Sequence, residues 1–129
     1  MLRIESVHHT ALCVTDLERA KRFYGELLGL REVARPPFPF GGAWYELPNG
    51  QQIHLIVHEA PKTLRGTTAI DTRDGHFAVR VASYRETLDY LRSRGVEVVD
   101  QPRNLTPWPQ IYVTDPDGNI IEFNAAVLD

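Results

Sequence analysis

The chain repeats itself once, and this constrains its fold more than any other feature. His9-Thr10-Ala11-Leu12-Cys13-Val14 lies over His76-Phe77-Ala78-Val79-Arg80-Val81 at an offset of 67. Gly29-Leu30-Arg31-Glu32-Val33 lies over Gly95-Val96-Glu97-Val98-Val99 at 66, and Pro48-Asn49-Gly50 over Pro116-Asp117-Gly118 at 68. Three matches at nearly one spacing define two copies of a module. One pair is too few for a stacked solenoid, which needs at least about three repeats to close a core.

Each copy reads βαβββ. Residues 4–14 alternate with β-branched positions and predict a strand. Asp16 caps a helix with Leu17, Ala20, Phe23 and Leu27 at helical spacing, and Gly29 stops it. Strands are expected at 30–34, 43–47 and 51–57, the last two joined by the turn Pro48-Asn49-Gly50. In the second copy a strand at 76–82 leads to Ser83-Tyr84-Arg85-Glu86, a capping box. A helix then runs to Gly95, with strands near 96–99, 110–114 and 119–124. The expected organisation is one domain over 1–129, with module 1 at about 1–58, a linker at about 59–74 and module 2 at about 75–129.

Charge and apolar content exclude several classes. Fourteen basic and seventeen acidic residues give no basic excess, so nucleic acid is not an expected partner. The longest apolar runs are a few residues, far short of the ~20 that a membrane span needs. Met1-Leu2-Arg3-Ile4-Glu5 has no apolar stretch of the secretory kind. The single cysteine, Cys13, has no partner in the sequence for a disulfide. A cytoplasmic location is therefore expected.

The repeat also singles out four side chains. His9 corresponds to His76 near the start of the first strand, and His54 corresponds to Glu122, each four residues past the turn glycine. Three imidazoles and one carboxylate at repeat-related positions suit one divalent first-row ion, Zn, Ni, Co, Fe or Mn. His8 and His58 have no repeat partner and are expected at the rim. Arg80 shares strand parity with His76, and a cleft arginine would take a substrate carboxylate or phosphate. Its alternative is an ion pair with Glu46. Trp44, Tyr45 and Trp108 sit beside loops and are candidates for an apolar wall or for core packing.

These motifs resemble the vicinal oxygen chelate superfamily, which includes glyoxalase I, bleomycin resistance proteins and extradiol dioxygenases. The resemblance spans the chain and is carried by His9-Thr-Ala-Leu-Cys-Val, Asp16-Leu-Glu-Arg-Ala-Lys-Arg-Phe-Tyr, Gln52-Ile-His-Leu-Ile, Asp74-Gly-His-Phe-Ala-Val-Arg-Val and Asp115-Pro-Asp-Gly-Asn-Ile-Ile-Glu-Phe. It implies an α+β fold in which paired βαβββ modules form an open, incomplete barrel around a metal-binding cleft. It places metal ligands at His9, His54, His76 and Glu122; Glu122, the only carboxylate of the set, is the candidate catalytic base, a role His54 could share on leaving the metal. It also implies a homodimer and a small-molecule substrate, for which Arg80, by strand parity, and Trp44 and Trp108, by their place beside loops, are the candidate contacts. Glyoxalase I-like enzymes usually carry Glu or Gln where this chain has His54. The activity implied is that of a glyoxalase-like lyase or isomerase working through an enolate-like intermediate. The alternatives are an extradiol-type Fe(II) dioxygenase, a fosfomycin-type transferase and a non-catalytic drug-binding protein.

Overall fold

The computed structural model describes residues 1–60 and 65–129. It divides into two compact units, Met1–Gly66 and Thr67–Asp129. The linker expected over about 59–74 falls partly on residues 61–64, which lie outside the described residues. Unit 1 runs through β1 (His9–Val14), α1 (Leu17–Lys21), a π-helical segment (Arg22–Leu27), β2 (Arg31–Val33), β3 (Gly42–Glu46) and β4 (Gln52–Val57). Unit 2 runs through β5 (His76–Val81), α2 (Tyr84–Ser93), β6 (Val99–Gln101), β7 (Gln110–Thr114) and β8 (Ile120–Ala125).

Each unit holds one four-stranded mixed sheet that does not close, in the order β1-β4-β3-β2 or β5-β8-β7-β6. The first and last strands of each module pair in parallel, and the other neighbours are antiparallel. The fold is α+β, and the βαβββ order holds in both units. Registers repeat too: Ala11 faces His54 as Ala78 faces Glu122, and Trp44 faces His54 as Tyr112 faces Glu122.

Three local readings change. The first strand starts at His9 and not near Ile4, because its partner β4 starts at Gln52, opposite His9. Leu2, Ile4 and Val7 therefore stay exposed. β6 starts at Val99 and not near Val96, because the helix end uses the backbone there. Gly95, at φ 73°, donates to the Arg92 carbonyl at 3.0 Å, and Val96 donates to Leu91 at 3.1 Å. These are the paired bonds of a Schellman end. The first helix, finally, turns π after Lys21, with Leu28 N–H donating to the Phe23 carbonyl five residues back.

That wide turn accounts for the slip in the repeat. The cap residues Asp16 and Ser83 lie 67 apart, whereas the stop glycines Gly29 and Gly95 lie 66 apart. Unit 1 thus has one extra residue between cap and stop, and the π turn absorbs it. Tyr24 is turned inward and fully buried beside Tyr45, with centroids 6.4 Å apart. Gly25 leaves the space, since a Cβ there would stand 3.3 Å from the Tyr45 hydroxyl.

Alternate strand residues form the core of each unit. Ala43, Tyr45, Ile53 and Leu55 are buried with Ala20, Phe23 and Tyr24 in unit 1. In unit 2, Ile111, Val113, Ile121 and Phe123 are buried, and α2 contributes Tyr84, Leu88 and Leu91, one stripe of the helix. Each fully buried Leu, Ile or Val contributes about 1.5–3 kcal/mol. Ser83 caps α2 by accepting Glu86 N–H at 3.1 Å. Among the described residues, no helix is long and apolar enough to cross a membrane.

Candidate functional site

The opposite strand parity carries the polar side chains, and they lie in cross-strand rows. In unit 1 one row runs Arg31, Glu46, Gln52, His9 across β2, β3, β4 and β1. The next row is Val33, Trp44, His54, Ala11. Arg31 pairs with Glu46. Gln52 donates its Nε2–H to Glu46 Oε1 at 3.5 Å, which turns its amide oxygen toward His54 Nε2 at 2.8 Å. An amide oxygen only accepts, so His54 carries its proton on Nε2 and keeps its lone pair on Nδ1.

His54 lies inside a stack of rings. Trp44 is parallel to it at 3.9 Å and 4°, and His9 lies on it at 4.1 Å and 17°. His54 is buried, and its pKa is pulled below the ordinary 6.5, first by burial and then by His9 and His8. Its ring is therefore neutral at pH 7. His8 sits at the rim of the stack, its Nδ1 2.9 Å from that of His9. His58 accepts Ala60 N–H and takes no part.

In unit 2 the supporting row lies on the other side of the central residue. Val99, Tyr112, Glu122 and Ala78 form the middle row, and Gln101, Gln110, Asn124 and Arg80 form the row beyond it. Gln110 donates to Glu122 Oε1 at 3.1 Å, and Asn124 donates to Oε2 at 2.7 Å. The Tyr112 hydroxyl also bonds the carboxylate; burial first, and then this contact, push its pKa up to about 12. Arg80 donates its Nε–H to Asn124 Oδ1 at 2.6 Å, and its guanidinium lies 5.8 Å from the Trp108 ring centroid. Glu46 is held within unit 1 by Arg31.

His76 completes this half. Its Nδ1 lies 2.7 Å from the Asp74 carbonyl, which only accepts, so Nδ1 carries a proton. Its Nε2 then faces Glu122 Oε1 at 3.4 Å. A proton on Nε2 would make this contact an ion pair, and a divalent ion between the two atoms would hold them at the same separation. Two ligands about 2.1 Å from a tetrahedral ion stand about 3.4 Å apart. A histidine whose other nitrogen is fixed by a carbonyl is the usual metal-ligand arrangement. His76 and Glu122 therefore fit a divalent ion.

Within each unit the structure brings together two of the four expected ligands, His9 with His54 and His76 with Glu122. Among the described residues no group of three or more His, Cys, Asp or Glu side chains is placed so that it could hold a metal ion. The Trp44 ring is committed to His54, and Trp108 to Arg80. Gln52, Gln110, Tyr112 and Asn124 were not picked out from the sequence. The available signal was polarity at alternating positions of otherwise apolar strands, Gln110 around Ile111 and Val113, and Glu122 and Asn124 around Phe123.

With the fold and both half-sites described, the comparisons with known proteins can be read. The sequence model of the Glyoxalase/Bleomycin resistance protein/Dioxygenase superfamily matches residues 6–123, and the chain belongs to that superfamily. It is 28% identical to Glyoxylase I 4 of Arabidopsis thaliana, over 94% of this chain and 71% of that protein. It is 29% identical to the lactoylglutathione lyase of Haemophilus influenzae, over 89% of this chain and 88% of that one. The crystal structure of a glyoxalase family protein from Bacillus anthracis superposes with a TM-score of 0.79 at 28% identity, covering 97% of this chain and 98% of that one. The fosfomycin resistance protein FosX of Listeria monocytogenes, crystallised with Mn(II) and a dihydroxypropylphosphonic acid, shares the fold. Its TM-score is 0.71 at 21% identity, covering 99% of this chain and 95% of that one. The proteins this chain is similar to thus include a lyase in sequence and, in fold, a protein crystallised with a divalent ion.

Proposed function

We propose that this protein is a metal-dependent, glyoxalase-like lyase or isomerase that acts on a small compound bearing vicinal oxygens. The observation that carries the reading is His76 Nε2 facing Glu122 Oε1 at 3.4 Å, with Nδ1 fixed by the Asp74 carbonyl. His76 and Glu122 would hold the ion, with His9 and His54 as the other donors. The ion would supply Lewis acidity, stabilising the negative charge that develops on the substrate's oxygens as an adjacent proton leaves.

The rest of the chemistry falls to the chain. Glu122 is the sole carboxylate of the set, and we assign it the substrate proton. Gln110, Asn124 and Tyr112 hold its carboxylate in one orientation. Arg80, fixed at Nε by Asn124 and stacked on Trp108, keeps its outer edge for a substrate carboxylate or phosphate. Trp44 backs His54 as an apolar wall. Edge strands β1, β2, β5 and β6 favour pairing between copies, and a homodimer is the assembly we propose.

Elemental analysis of protein purified without added metal tests the reading. The expected result is about one divalent ion per chain, and a chelator that lowers the melting temperature. Metal-free protein whose melting ignores added Zn, Ni, Co or Mn would remove it. Substrate is then sought among 2-oxoaldehyde–thiol adducts, 2-methyl-acyl thioesters and catechols, the last with an oxygen electrode to detect dioxygenase chemistry. With a substrate in hand, Glu122→Gln should keep most bound metal and lose roughly 10²-fold in turnover. His54→Ala should lose metal affinity and recover activity at high metal concentration. Light scattering should give twice the chain mass of 14.7 kDa.

A further inference from the structure

The loop between β2 and β3 carries an aromatic platform that is built before any ligand arrives. Phe38 and Phe40 are 42% and 44% exposed. They are nonetheless ordered against each other, with parallel rings 5.1 Å apart at 8°. The Arg35 guanidinium lies 5.2 Å from one ring centroid and 5.5 Å from the other, and it donates Nη2–H to the Phe40 carbonyl at 2.9 Å. Gly42 makes room for that guanidinium, since a Cβ there would stand 3.1 Å from Arg35 Nη2. Pro36, Pro37 and Pro39 fix φ along the same stretch. Rings held this way have little conformational freedom left to lose on binding.

The platform runs on into the unit 1 half-site. Phe38 lies 6.4 Å from Trp44 with the planes tilted by 49°, Trp44 is stacked on His54 at 3.9 Å, and His54 on His9 at 4.1 Å. A flat ring laid along Phe38 and Phe40 would add to an aromatic cluster that ends at two candidate metal ligands. Aromatic pairs gain from such stacking beyond the area they bury, and an alkyl group does not. We infer that Phe38 and Phe40 select an aryl group, so that the substrate is an aryl-substituted compound whose vicinal oxygens lie next to the ring. The inference rests on the function proposed above and specifies its substrate class.

Mandelate and lactate test it. Both present a vicinal hydroxyl and carboxylate, and they differ by a phenyl in place of a methyl. Calorimetry on the full chain loaded with Mn(II) should show mandelate binding at least about tenfold tighter than lactate. Phe38→Ala/Phe40→Ala should bring the ratio to within about threefold while the lactate affinity stays unchanged. The two side chains are exposed, so an unaltered circular dichroism spectrum is expected of that variant. Equal affinity for the two acids in the wild type would overturn the aryl inference and leave the vicinal-oxygen reading standing. A mandelate preference that survives in the double variant would also overturn it, by placing the aryl recognition elsewhere. Binding of neither acid, with the metal shown to be present, would overturn the proposed function and this inference with it.

Discussion

Replacing Asn124 by leucine isolates the support given to Glu122. Asn124 is 8% exposed and Glu122 is 5% exposed. Asn124 donates to Glu122 Oε2 at 2.7 Å and accepts from Arg80 Nε at 2.6 Å. Leucine has the same branched outline, a somewhat larger volume and no polar atom. The Arg80 end loses little, because that residue is exposed and water replaces the amide. The Glu122 end loses a bond to a buried carboxylate, and such bonds contribute about 1.5–3 kcal/mol. The added apolar burial offsets roughly 1 kcal/mol. Asn124→Leu should therefore cost about 0.5–2 kcal/mol, or roughly 2–8 °C in Tm at about 4 °C per kcal/mol. In a Glu122→Leu background no carboxylate is left deserted, and the same change should be neutral or stabilising. Urea unfolding of the four proteins, each stripped of metal, should give a coupling of about 2 kcal/mol. A coupling below about 0.5 kcal/mol would refute the claim that Asn124 holds Glu122.

Gln52→Leu should release His54 from its fixed tautomer. Nitrogen-15 spectra should show the proton on Nε2 in the wild type and a mixture in the variant, and an unchanged spectrum would count against the Glu46–Gln52–His54 chain. Gly42→Ala should cost at least about 2 kcal/mol, because its Cβ would lie within 2.4 Å of the Leu55 carbonyl and backbone must move; a denaturation midpoint like that of the wild type would contradict this. Tyr45, Tyr84 and Tyr112 have pKa values raised from 10.0 to about 12, in each case chiefly by burial. A raised pKa stabilises the folded state fully below pH 10, and that contribution is lost as pH climbs from 10 through 12. Ultraviolet titration should show these tyrosines ionising together with alkaline unfolding, and full ionisation near pH 10 in folded protein would be inconsistent with their burial.

The sequence was most legible where local chemistry decides the outcome. Asp16, Ser83, Gly29 and Gly95 mark helix ends because caps and positive-φ stops act within a few residues. The repeat carried the strand order and placed His54 level with Glu122. What could not be read depends on register between strands. Residues 4–8 have good strand composition, but a strand needs a neighbour, and the residues that the β1–β4 register would set opposite them, 47–51, form the turn before β4. Arg80 found Asn124, 44 positions away, because β5 and β8 lie in parallel with those two residues paired. The rows Arg31-Glu46-Gln52 and Arg80-Asn124-Gln110 each draw on three strands, so no single segment reveals them. The same rows differ between the copies: unit 2 has Thr114 and Ile120 at the positions of Glu46 and Gln52, and unit 1 has Gly42 and Ile56 at those of Gln110 and Asn124.

The π-helical segment Arg22–Leu27 bears on how the two copies diverged. A residue gained inside a strand moves every later side chain to the opposite face of the sheet. A residue gained in a surface helix is absorbed by one wide turn, and the strands on either side keep their partners. Gain or loss of a residue since duplication could therefore persist here without moving His9 or His54. By the same logic, deleting Glu26 should restore a regular helix of the length seen in unit 2, whereas deleting Leu55 should scramble β4. The helix is where this fold tolerates drift in chain length, and the strands are where it does not.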